Sequence, residues 1–160
     1  VELGAPDRSA NSPSRINCGP HATLTLIETA REYHELTGRH LQVYGDIGEL
    51  FGVITHGLKL HRNYAQGSDG RIGNDLVEVK TITPFKANAE VVLNLRRNFS
   101  KVLIVRINAD FEVAGRMVDR ASLPRVRGDR LVLAWDQLDS RSSSTCSLEF
   151  EAGGVSGLVD

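Results

Sequence analysis

Apolar and polar positions recur along this chain with two different periods, helical in the first third and alternating in the remainder. From about Thr23 to Thr37, Leu26, Ile27, Ala30, Tyr33 and His34 fall on one helical stripe. Glu28, Arg31, Glu32 and Glu35 take the wet side, and Gly38 stands where the helix should stop. A second helix is predicted over Gly45–His56, with Ile47, Leu50, Phe51 and Ile54 at i, i+3, i+4 and i+7 and Gly57 as its end. Gly45, Gly48 and Gly52 occupy another side of it, with Glu49 near them. Three helix glycines cost about 1 kcal/mol each against alanine. Close approach of that side to a neighbouring backbone would explain the expense.

Period two then takes over. Strands are predicted near Leu58–His61, at Leu76–Lys80, Glu90–Leu95, Lys101–Ile107, Phe111–Asp119 and Leu131–Trp135, with a helical turn at Arg120–Pro124. Glu90–Leu95 is expected to pair with Lys101–Ile107, Arg96 to Ser100 closing the loop with Asn98 as turn and Phe99 as anchor. Val102 to Val105 is a continuous apolar run, which suits a central strand covered on both faces. Residues 1–20, rich in Ser, Pro, Asn and Gly, read as a flexible arm, 21–150 as one domain without repeats, and 151–160 as a loose tail.

Composition narrows the class. The chain has 160 residues, 41% hydrophobic and 24% charged, enough for one buried core. No apolar run approaches the ~18 residues that span a bilayer, and no secretory segment opens the chain, so a cytoplasmic domain is expected. Val1 in place of Met leaves open a longer parent protein, including a secreted toxin that carries this domain at its end. Cys18 and Cys146 are too far apart in sequence to suggest a disulfide framework, so reduced thiols are expected.

The densest chemistry lies between Gly67 and Lys80. Gly73-Asn74 is a two-residue hairpin loop, because both residues tolerate positive φ. That loop pairs Ile72 with Asp75, Arg71 with Leu76, Gly70 with Val77, and Asp69 with Glu78, and it puts Lys80 on the face of Glu78. Two carboxylates roughly 5 Å apart repel by about 3 kcal/mol at an effective dielectric near 20. A proton or a cation is therefore expected between them. Oxygen ligands without His or Cys suit Mg²⁺, with Mn²⁺ as a second candidate. Lys80 adds a positive charge that can orient a water or stabilise an oxyanion, and Glu49 is a third acid if its helix faces the sheet. The plainer readings stay open: a solvated Glu-x-Lys strand face, Asp69 as a turn residue, and Glu49 as a helix-surface acid.

Those residues carry a resemblance. Gly45-Asp46-Ile47-Gly48-Glu49, an aliphatic helix, Gly67-x-Asp69 and Val77-Glu78-Val79-Lys80 resemble the PD-(D/E)XK nuclease superfamily. Glu32-Tyr33-x-x-Leu36-Thr37-Gly38-Arg39 with Gly45-x-x-Gly48-Glu49 is similar to a set of small bacterial domains assigned to it. The resemblance covers roughly residues 22–110. It implies an α/β (α+β) restriction-endonuclease-like core, a mixed central sheet flanked by helices, acting as a metal-dependent nuclease. It implies Asp69 and Glu78 as metal-binding acids, Lys80 as the catalytic lysine and Glu49 as the helix acid. Ser68 stands where many members have proline.

Partners follow from charge. The net charge is only −1, but Lys86 to Arg130 holds ten basic residues against five acidic ones. A nucleic-acid backbone, of DNA in the first place, could dock there, with Arg71, Lys86, Arg96 and Arg97 as candidate contacts; an arginine-rich solvated surface is the other reading. A catalytically silent module that binds nucleic acid or protein is the main alternative function, and a homodimer stays open. Other catalytic patterns are weak: His56 and His61 have no third ligand for zinc, no Gly-Lys-Ser/Thr loop or Gly-x-Ser-x-Gly elbow occurs, and Trp135 reads as core.

Overall fold

The computed structural model describes residues 19–61, 67–139 and 141–148, and within them the chain is a mixed α+β fold. Residues 1–18 of the expected arm and the whole expected tail lie outside the described residues. Gly19 and Pro20, read as the end of the arm, instead open α1 (Gly19–Thr37), which is followed by α2 (Tyr44–His56). Gly38 (φ 66°) and Gly57 (φ 64°) end the two helices in the left-handed conformation that glycine adopts without strain. At the second, the Leu58 N–H returns to the Gly52 carbonyl at 3.1 Å.

Among the described residues eight strands follow: β1 (Lys59–Leu60), β2 (Gly70–Ile72), β3 (Asp75–Ile82), β4 (Glu90–Asn94), β5 (Lys101–Ile107), β6 (Val113–Asp119), β7 (Arg130–Ala134) and β8 (Ser142–Leu148). Six form one sheet in the order β1-β2-β3-β5-β6-β8. Every neighbouring pair in it is antiparallel except β3–β5. β4 and β7 make a separate antiparallel ribbon.

Two apolar layers sandwich the main sheet. On one face Ile27, Ala30, Ile47 and Phe51 of the helices pack on Val77, Val79, Leu103 and Val105. On the other, Ile82, Val102, Ile104 and Val118 pack on Val91 and Leu93 of β4, Leu131 and Leu133 of β7, and Trp135 and Leu138 beyond it. The run Val102 to Val105 is fully buried because its alternate residues enter opposite layers. Trp135 belongs to the core, as expected, and opens a one-turn 3-10 segment instead of ending a strand.

The expected pairing of Glu90–Leu95 with Lys101–Ile107 does not occur. β5 is apolar on both faces, and β3 and β6 take both of its edges over six and seven residue pairs. β4 is half wet, Val91 and Leu93 turned inward and Val92 outward, so it pairs with the equally half-wet β7. Arg96 to Ser100 is thus the return of a crossover from β3 to β5, not a hairpin loop, although Phe99 is buried as its anchor. β8 has no counterpart among the predicted strands: its Ser/Thr-rich run gives no alternating apolar signal, and it pairs with β6 at the sheet edge. Cys146 on it is a free, partly buried thiol. Among the described residues no helix is long and apolar enough to cross a membrane.

Two of the three α2 glycines are explained by close packing. A Cβ on Gly48 would stand 2.1 Å from Thr81 Oγ1, and one on Gly52 would stand 2.8 Å from Leu103 Cδ2, whereas Gly45 has nothing within 4 Å. Gly115 on β6 is tight as well, since its Cβ would meet the fully buried Phe51 ring at 2.3 Å, and unlike the Thr81 hydroxyl that ring has no room to move. Gly115→Ala is therefore expected to destabilise the fold by about 1–3 kcal/mol through overpacking. Gly45→Ala should be neutral or stabilising by up to about 1 kcal/mol. Urea unfolding of the two variants beside the parent chain checks both.

Candidate functional site

Gly73 adopts φ 58°, and the hairpin closes with Ile72 opposite Asp75, Arg71 opposite Leu76 and Gly70 opposite Val77, the register that the loop residues require. The ladder stops there. Asp69 does not continue it opposite Glu78: its N–H donates to the Val77 carbonyl (3.0 Å), and its Oδ2 accepts from the Val79 N–H (2.6 Å). Past Val77 the β3 backbone still needs an acceptor on that edge, and the short aspartate side chain supplies it. His61 supports the turn from behind, its N–H bonding to the Asp69 carbonyl at 2.9 Å.

Glu78 occupies the middle of β3 on the face turned away from α2, because Val77 and Val79 on either side of it enter the helix layer. It is 1% exposed. Its Oε1 accepts from Lys80 Nζ at 2.7 Å and from Arg97 Nη1 at 2.6 Å. Its Oε2 is buried with no hydrogen-bond partner. Burial pushes the Glu78 carboxyl above the usual range; Lys80 pulls it back by hydrogen bond and charge, Asp69 raises it again, and Arg97 lowers it.

Arg97 joins the two acids. Its Nη2 lies 3.4 Å from Asp69 Oδ1, and its Nε donates to the Gly67 carbonyl at 2.7 Å. The turn that carries it is braced by Arg120, which donates to the carbonyls of Leu95 (2.6 Å), Arg97 (2.8 Å) and Phe99 (3.1 Å) and lies over the Phe99 ring. The sequence marked Arg97 as a phosphate contact and missed its place between the acids. Only the crossover brings it back over the 19 positions that separate it from Glu78.

Glu49 is half-buried on α2, which packs on the sheet. Gly48 beside it packs on Thr81 and Val79, so α2 lies on the sheet face opposite Glu78. Burial first, then the Asp69 and Asp46 charges, raise the Glu49 carboxyl, so it senses Asp69. Among the described residues no three His, Cys, Asp or Glu side chains form a group that could hold a metal ion. His56 and His61 go separate ways, to Thr55 and Ser144 and to Ser68 respectively.

Much of the basic run is engaged within the fold. Arg96 pairs with Asp129 at 2.6 Å, Lys86 donates to the Glu90 carbonyl, Lys101 pairs with Asp119 and Asp75, and Arg116 binds Asp139 and the Trp135 carbonyl. Arg71, Lys86 and Arg96 remain exposed.

No family model matches the chain, and no curated protein matches it. The donor set fits a hard divalent ion in part: Glu78 and Asp69, which share the Arg97 guanidinium, are all-oxygen donors of the kind that Mg²⁺ accepts with water completing its shell, and one Glu78 oxygen has no hydrogen-bond partner.

The Glu49 shift has a consequence for stability. A carboxyl held above its ordinary range disfavours the folded state progressively as pH rises through the raised value, and has no effect below the ordinary range. Glu49→Gln is therefore expected to melt higher than the parent chain near pH 7 and at the same temperature near about pH 3.5. Thermal melts at the two pH values test it.

Proposed function

We propose that this chain is a metal-dependent phosphodiester hydrolase acting on DNA, a nuclease of the PD-(D/E)XK kind. The observation that supports it most is the bare Oε2 of buried Glu78, beside Asp69 and two residues from Lys80. A buried carboxylate oxygen without a partner costs on the order of 1–3 kcal/mol or more. A site retains such a cost more readily when a ligand relieves it.

In this reading Asp69 and Glu78 hold Mg²⁺, with Mn²⁺ as a substitute and Glu49 reaching it through water. The ion would polarise a phosphate oxygen and make water a better nucleophile. Asp69 is held in one orientation by the Val79 N–H, which preorganises one ligand. Lys80, hydrogen-bonded to Glu78 Oε1, would orient the attacking water and offset the charge that grows on the pentavalent phosphorus. Exposed Arg71 and Lys86 are candidates for contact with flanking phosphates.

A second reading has an observation of its own. Lys80 and Arg97 already pair with both acids, which favours a silent nuclease-fold module that binds nucleic acid or a protein. Salt-sensitive DNA binding without turnover would mark it. Incubation with plasmid DNA and Mg²⁺ or Mn²⁺ separates the two. The hydrolase reading expects cleavage that excess chelator stops, and that Lys80→Ala or Asp69→Ala lowers by about 10²-fold or more with an unchanged circular dichroism spectrum. Cleavage untouched by either substitution, or by chelator, would sink it.

A further inference from the structure

We infer that Arg97 is an exchangeable counter-cation: it occupies the Asp69–Glu78 pair at rest, gives the carboxylates up to a divalent ion, and passes its charge to the DNA phosphate. The inference rests on the metal-site reading proposed above and adds to it a residue whose role nothing in the motif assigns.

Three features carry it. The guanidinium grips Glu78 tightly (2.6 Å) but Asp69 only at 3.4 Å, and both Arg97 and Lys80 crowd the same Glu78 oxygen while the other stays bare. The remaining contact, from Nε to the Gly67 carbonyl, is independent of both acids and would keep the side chain nearby after it lets go of them. Its turn is fixed by Arg120 through three carbonyls, and the side chain is 31% exposed, so the guanidinium has a firm base and an open side toward water.

Charge gives the direction of exchange. Asp69 and Glu78 are balanced by Lys80 and Arg97. A divalent ion added alone would leave the site with two excess positive charges, which Coulomb repulsion at this spacing opposes. A phosphodiester delivered at the same time offsets one of the two and offers a pair of acceptor oxygens that a guanidinium fork can bind. Metal and DNA should then strengthen each other's binding, and linkage makes that reciprocal. A purely structural arginine would instead support the acids, and its loss would weaken metal binding.

The test is Mn²⁺ titration by calorimetry on the full chain, comparing the parent protein with Arg97→Gln and Arg97→Met. Without DNA both variants are expected to bind Mn²⁺ about tenfold more tightly than the parent. Equal or weaker binding by folded variants overturns the inference. The parent chain alone gives a second measurement that needs no variant: its Mn²⁺ affinity should rise when a short DNA duplex is present in excess. An unchanged affinity overturns the inference even if both variants fail to fold. Equal tight binding by parent and variants would remove only the role of Arg97. No Mn²⁺ binding by any of them, with or without duplex, would remove the metal site and the hydrolase reading with it.

Discussion

The fold is arranged around a carboxylate that has been taken out of water. Glu78 sits in the middle of a strand whose neighbours, Val77 and Val79, are core residues, and a lone ionised carboxylate there would be costly. Lys80 from the same strand and Arg97 from the crossover make it tolerable, and they do so by sharing one oxygen. Removing either cation would leave a buried charge with less compensation, which is the expensive way to break such a cluster. The asymmetry is informative. A cluster serving stability alone would be expected to satisfy both oxygens of the acid, and here one is left free.

The surrounding architecture supplies what that cluster needs. The tight hairpin delivers Asp69, and the aspartate then ends the ladder by accepting from β3 itself, so that the sheet edge opens beside Glu78. The ribbon of β4 and β7 covers the face that Glu78 shares with Ile82, Val102 and Ile104, and its exit carries Arg97. Helix α2 covers the other face, held close by the absence of side chains at Gly48 and Gly52. Glu49 is raised by burial on that helix and lies electrostatically nearer to Asp69 than to Glu78.

How much of this the sequence carried can be said residue by residue. Both helices were legible because their apolar stripes and the stopping glycines Gly38 and Gly57 are local signals. The hairpin register was legible because Gly73-Asn74 admits few alternatives, and the central position of β5 because four apolar residues in a row need cover on both sides. Partner choice was not legible. Alternation in Glu90–Asn94 tells which side is wet, not which strand lies alongside, and nearest-neighbour pairing chose wrongly. β8 was silent because Ser and Thr at a sheet edge leave no hydrophobic period. Within the site, the strand parity of Glu78 and Lys80 was readable. Which face α2 would cover, and which of ten basic residues would return to the acids, depends on long-range packing that no local pattern encodes.

The parallel pairing of β3 with β5 also imposes an order on how the molecule comes together. A two-residue turn closes the β2–β3 hairpin at small entropic cost, whereas β5 reaches β3 only after the intervening ribbon strand has been passed. Until that long loop closes, Arg97 is absent and the hairpin carries its acids with Lys80 alone. Burial of Glu78 with both of its cations thus requires the crossover to have closed, because one of the two arrives only with it.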